Sequence, residues 1–153
     1  MKKMFTKLLA ILMLMALTTS ASATSMPPAD QISADPNHAS YSWRNPSRDA
    51  GEIIYVEIGI SVVSSGLYLA AVTESSPAAD TIGGIAFVQY WEDDTWKDYS
   101  RFYFEDYGVD NCELSHTISV PGGYYYRLSI IHTAQFGMDL ITRRSTTQAV
   151  FVP

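Results

Sequence analysis

Cysteine is almost absent: Cys112 is the only one in the chain. No intrachain disulfide can form, so stability must come from packing rather than crosslinks. A lone cysteine pairs between chains, stays a reactive thiol, or, more commonly, serves as a small apolar residue. Basic residues are also scarce, with ten Lys and Arg against 16 Asp and Glu and a net charge of −6. Three of the ten, Lys2, Lys3 and Lys7, stand at the very start, so the chain beyond them carries about −9. That balance argues against nucleic acid and anionic membranes as partners, because both require clustered Lys and Arg. No segment shows a sustained helical stripe. Missing too are a Gly-x-Ser-x-Gly elbow, a His-Glu-x-x-His helix and a phosphate-binding glycine loop, so no familiar catalytic or cofactor signature is present.

Long hydrophobic runs are lacking as well. The run Leu8 to Leu17 is about ten residues, half of the roughly 20 that a membrane-spanning helix needs. Lys2, Lys3 and Lys7 precede it and the small residues Ala21-Ser22-Ala23 follow it, which is the three-part pattern of a secretory signal peptide. Residues 1–23 are therefore expected to be cleaved and the protein secreted, extracellular or associated with the cell envelope. No cysteine follows the cut to take a lipid, and no second apolar segment follows, so the mature form is expected to be soluble and without a membrane span. The remaining length suits one domain. Residues 24–50, with Pro27, Pro28 and Pro36 among small polar residues and no apolar period up to residue 40, are expected to be a flexible segment. Residues 51–153 are expected to be the folded domain, with order beginning between Tyr41 and Glu52.

From Ile53 onward the chain is rich in Val, Ile, Tyr, Phe and Thr, interrupted at short intervals by Gly, Pro, Asp and Asn, which predicts an all-β domain. Strands are expected at 53–63, 67–73, 85–91, 96–104, 114–120, 124–132 and 146–152. Leu114, His116, Ile118 and Val120 alternate with Ser115, Thr117 and Ser119. The next strand sets Tyr124, Tyr126, Leu128 and Ile130 against Tyr125, Arg127, Ser129 and Ile131. The intervening Pro121-Gly122-Gly123 suggests that these two strands form a hairpin. Seven short strands predict a single antiparallel β-sandwich of immunoglobulin-like character, with a barrel as the alternative that the strand count leaves open.

The segment Gly122-Gly123-Tyr124-Tyr125-Tyr126-Arg127 with His132 after it, together with Thr81-Ile82-Gly83 and Trp96, resembles a family of small exported bacterial proteins of unknown function. That family shows a signal peptide, an aspartate-isoleucine-glycine type strand opening, a tryptophan-bearing strand and a C-terminal "GYYYR…H" strand. The likeness spans roughly Ile58 to Val152. It implies a fold and no reaction, and Leu128-Ser129-Ile130-Ile131 departs from the more polar run of the family.

Tyr125, Arg127 and Ile131 share one strand face, where an aromatic ring beside a guanidinium can stack on sugars or aromatic side chains, and they are the candidate ligand-binding residues. Tyr124 or Tyr126 is expected to hydrogen-bond across a loop and lock a corner. Glu92, Asp93, Asp94 and Asp98, like Glu105, Asp106 and Asp110, match no calcium-loop spacing and read as solvated turns, so no metal site is expected. Glu105 and Asp106 with His116 or His132 would supply the acid–base pair of a hydrolase, although His116 reads as a core residue. No catalytic residue and no cofactor is assigned. The sequence points to a secreted, non-enzymatic module that binds a surface glycan, peptide or protein. Its alternatives are a small extracellular hydrolase using loop carboxylates, or a structural component of a cell-surface assembly.

Overall fold

A computed structural model describes residues 25–46 and 51–153. The expected signal peptide, residues 1–23, lies outside the described residues, as do Thr24 and residues 47–50 of the expected flexible segment. Seven strands form: β1 (His38–Arg44), β2 (Glu52–Val63), β3 (Gly66–Glu92), β4 (Thr95–Ile118), β5 (Tyr124–Phe136), β6 (Asp139–Thr146) and β7 (Val150–Val152). All pair antiparallel in one sheet of order β1-β2-β3-β5-β6, with β4 also paired to β3 and β7 paired to β5. The all-β, antiparallel, seven-stranded expectation stands. The strands belong to a single sheet that curls into a half-barrel.

The curl follows from β3. Two expected strands, 67–73 and 85–91, are one strand of 27 residues. Its register slips between Glu74 and Ala79, around Pro77, which has no N–H to give to a ladder. The inward-facing set changes further on, past Ala79: Leu67, Leu69, Ala71, Thr73, Ser75 and Ala79 are buried at odd positions, and Ile82, Ala86 and Val88 at even ones. The first half of β3 pairs with β2 and the second half with β5. Val56, Ile58 and Ile60 of β2 and Tyr126, Leu128 and Ile130 of β5 therefore join the two halves of β3 in one core cluster.

β3 and β4 meet in a two-residue turn, Asp93-Asp94, with φ of 52° and 57°. Such a hairpin turn needs positive φ at both central residues, a conformation that Asp tolerates better than most. Along the hairpin, Gly83 is required by close approach: a Cβ there would lie 2.0 Å from the Phe104 carbonyl oxygen.

The expected hairpin between 114–120 and 124–132 does not form. Leu114 pairs with Ala71 of β3, and Tyr126 pairs with Tyr90 of β3. At Gly84, β3 has Phe104 of β4 as one partner and His132 of β5 as the other, so the two strands flank it. The Pro121-Gly122-Gly123 segment docks on the C-terminal strand instead of folding back, with Gly123 N–H donating to the Val152 carbonyl at 2.8 Å. Leu114, Ile118 and Val120 still pack against the core that holds Tyr126, Leu128 and Ile130, across the curl rather than side by side.

Where a flexible lead-in was expected over 24–50, the described residues 25–46 are bound to the body. β1 pairs along β2, and Ile32 bridges Ala149 through Ser33 N–H to Ala149 O (2.9 Å) and Ala149 N–H to Gln31 O (2.7 Å). Trp91 and Trp96 donate their indole N–H groups to Ser25 Oγ (3.1 Å) and Gln31 Oε1 (2.8 Å). Composition misleads here because the segment is held by pairing with residues far along the chain, not by an apolar period of its own. Among the described residues no helix is long and apolar enough to cross a membrane.

Candidate binding cleft

The three consecutive tyrosines of β5 divide by strand parity. Tyr124 and Tyr126 turn to the core side, where Tyr126 pairs with Tyr90 of β3, and Tyr125 turns outward onto Phe151, ring centroids 5.0 Å apart. Tyr99, at the start of β4, completes a cluster. Tyr90 lies 6.4 Å from Tyr99, 5.6 Å from Tyr124 and 6.5 Å from Tyr126. The planes of Tyr99 and Tyr124 stand at 86° and 88° to that of Tyr90, and no ring contact joins Tyr99 to Tyr124 among the described residues. Tyr99 and Tyr124 thus each meet Tyr90 edge-on, and the fully buried Tyr126 contacts all three rings. Pro121, Glu92 and Asp98 complete the lining of a cleft of about 290 Å³, the Asp98 carboxylate itself being bonded to Gln89 on the outward face of the sheet.

Tyr126 donates its hydroxyl to the Pro121 carbonyl at 2.8 Å, the corner lock expected of Tyr124 or Tyr126. Burial, first of all, raises the pKa of the same phenol. Tyr90 donates to Glu92 at 3.4 Å and Tyr99 to the Ser119 carbonyl at 3.3 Å. Lys97 is tied to Glu92 at 2.8 Å and to Asp93 at 2.6 Å. Asp98 accepts from Gln89 Nε2 at 2.8 Å.

Tyr125, Arg127 and Ile131 share the outward face of β5, but they do not converge. At about 3.3 Å per residue, Tyr125 and Ile131 are some 20 Å apart. Arg127 lies over the Trp96 ring, 4.2 Å from its centroid, and its Nε donates to Gln89 Oε1 at 2.9 Å. Burial, and secondarily Arg144, lower its pKa. Ser129, expected beside them in solvent, is buried and bonds Oγ1 of Thr146, its partner on the neighbouring β6, at 3.0 Å.

The acid–base pair that the alternative hydrolase reading would use is not assembled. His132 is fully buried, with Nδ1 at 2.6 Å from Thr73 Oγ1 and Nε2 at 2.7 Å from Ser145 Oγ. Burial, and then the Arg143 guanidinium, pull its pKa down to about 4. Glu105 follows the buried Phe104 on β4 and so faces outward, away from the side on which His132 is buried. The thiol of the buried Cys112 is pushed up to about 12, chiefly by burial and next by the neighbouring Asp106 carboxylate. A thiol so far from ionisation is a poor nucleophile. His116, expected in the core, is exposed on β4 and stacks on Phe102 with centroids 4.3 Å apart. Among the described residues no three His, Cys, Asp or Glu side chains gather at metal-binding distance.

No protein-family model, curated protein or solved structure matches the chain.

Sequence reasoning gave Tyr124 and Tyr126 only a structural role and passed over Tyr90 and Tyr99. The available signal was a tyrosine on each side of the acidic turn 92–94, on strands already expected to pair.

Proposed function

We propose that the chain is exported after loss of residues 1–23 and acts without catalysis, as a module that binds a group displayed by an extracellular glycan, peptide or protein. The observation that carries this reading is the tyrosine cleft. It is concave, four of its seven lining residues are tyrosines, and it has a few polar groups at fixed places, the usual make-up of a binding site. The binding residues then shift from Tyr125, Arg127 and Ile131 to Tyr90, Tyr99, Tyr124 and Tyr126. Packing of both halves of the curled sheet around one core supports its description as a sandwich; its immunoglobulin-like character, and kinship with the exported family sharing the "GYYYR" strand, are proposed from the sequence pattern alone.

Screening the purified exported chain on glycan and peptide arrays tests the reading. Retention should be lost in Tyr99→Ala and Tyr124→Ala and kept in Tyr103→Ala, whose ring is 68 % exposed on the same strand as Tyr99. Loss that follows Tyr125→Ala instead would return the site to the outward face. Turnover of an ester, peptide or glycoside abolished by Glu105→Gln would establish the hydrolase.

One observation favours a structural role in a surface assembly. β4 pairs only with β3, which leaves a 24-residue edge unpaired among the described residues. Concentration-dependent oligomers in light scattering would support that role.

A further inference from the structure

The cleft displays acceptors and ring faces and almost no donors. Three of its four tyrosine hydroxyls already donate within the protein, Tyr90 to Glu92, Tyr99 to Ser119 and Tyr126 to Pro121. No Lys, Arg or His lines it. Lys97, close by, is held by Glu92 and Asp93, which together outweigh it by one negative charge. Aromatic faces carry the negative side of the ring quadrupole, and rings set around a cation attract it most when carboxylates stand nearby. A sugar or an anion needs donors, which this cleft has largely spent. The volume of about 290 Å³ is at the lower end for ligand sites, about 300–1,000 Å³, and suits a head group or a single side chain rather than an oligosaccharide. The acidic mature chain adds a long-range field of the same sign.

We infer that the tyrosine cleft binds an alkylammonium head group, seated among the Tyr90, Tyr99 and Tyr124 rings beside the Glu92 carboxylate. The inference rests on the reading of the cleft as the binding site and names its ligand class. Two sources would present that chemistry, a free or glycan-linked quaternary amine and a lysine side chain of a peptide.

Calorimetric titration of the purified exported chain with choline, tetramethylammonium and a lysine-containing tripeptide tests it. The neutral controls are the carbon analogue of choline, with a tert-butyl group in place of the trimethylammonium, and methyl glucoside. At least one cation should bind tenfold or more tightly than the tert-butyl alcohol, and added salt should weaken it. Tyr99→Ala should weaken it at least tenfold and Glu92→Gln several-fold, both variants keeping the parent circular dichroism spectrum because neither side chain is buried. Preference for choline or for the tripeptide separates the two sources. Equal affinity for the tert-butyl alcohol, or Tyr99-dependent binding of the glucoside alone, would overturn the cation assignment and leave the cleft as a binding site. No binding of any probe, with array retention insensitive to Tyr99→Ala, would overturn both.

Discussion

Thr73 and His132, 59 residues apart in the chain, meet at 2.6 Å inside the core, hydroxyl oxygen to imidazole Nδ1. Ser145 holds the other ring nitrogen at 2.7 Å. β3, β5 and β6 are thereby joined inside the core through one neutral ring, and a fully satisfied buried polar group specifies a unique arrangement.

That ring should make stability pH-dependent. Its pKa is about 4 when folded and about 6.5 when unfolded, so between these values the unfolded chain binds the extra proton. The stability tied to neutral His132 is thus fully present above about pH 6.5 and lost as pH falls toward 4. The loss should amount to roughly 3 kcal/mol, at 1.36 kcal/mol per pKa unit. Urea melts at pH 7, 5.5 and 4 should show the parent losing more stability than His132→Gln. Parallel losses in the two proteins would mean that His132 is not held neutral.

Burial of Ser129 reverses the behaviour expected from its strand pattern. Ser129→Ala removes the partner of Thr146 Oγ1 in a buried place and should cost about 1 kcal/mol. Ser115→Ala, on the exposed β4 edge, should change stability by less than about 0.5 kcal/mol. Leu128→Ala, at a fully buried position, should cost about 2–5 kcal/mol. Denaturant melts that rank Ser115→Ala above Ser129→Ala would contradict the pairing of β5 with β6.

Gly83→Ala should be a strongly damaging single-methyl change in the β3–β4 hairpin. The new Cβ would meet backbone on β4, the Phe104 carbonyl oxygen at 2.0 Å, and backbone cannot swing aside as a side chain can. Gly108→Ala meets no atom within 4 Å and carries only the strain of φ +67°, about 1–2 kcal/mol. Thermal melts should put Gly83→Ala well below Gly108→Ala, and hydrogen exchange should show the loss centred on the strand partners of Gly83, Glu105 and Thr133.

Tyr126 shows how far the local pattern reaches. Its inward direction, its place beside Leu128 and Ile130 and its hydroxyl lock on the turn were all legible in alternation and turn chemistry, because these depend on residues close in the chain. Its partners Tyr90 and Tyr99 were not, since ring contacts across strands depend on register.

The sequence by itself determined an all-β antiparallel chain of about seven strands, and which side chains share a face along each half-buried stretch. Propensity and period-two alternation are local, and they survive whatever partner a strand finds. Only the tertiary structure decided that Ser75 to Ala79 is an irregularity inside one long strand, that β4 and β5 flank β3 rather than each other, and that residues 25–46 dock on the body. It alone gathered four tyrosines from three strands into one cleft. Each of these depends on which edges pair and where the register slips, and both are settled by long-range burial that no short window of sequence contains.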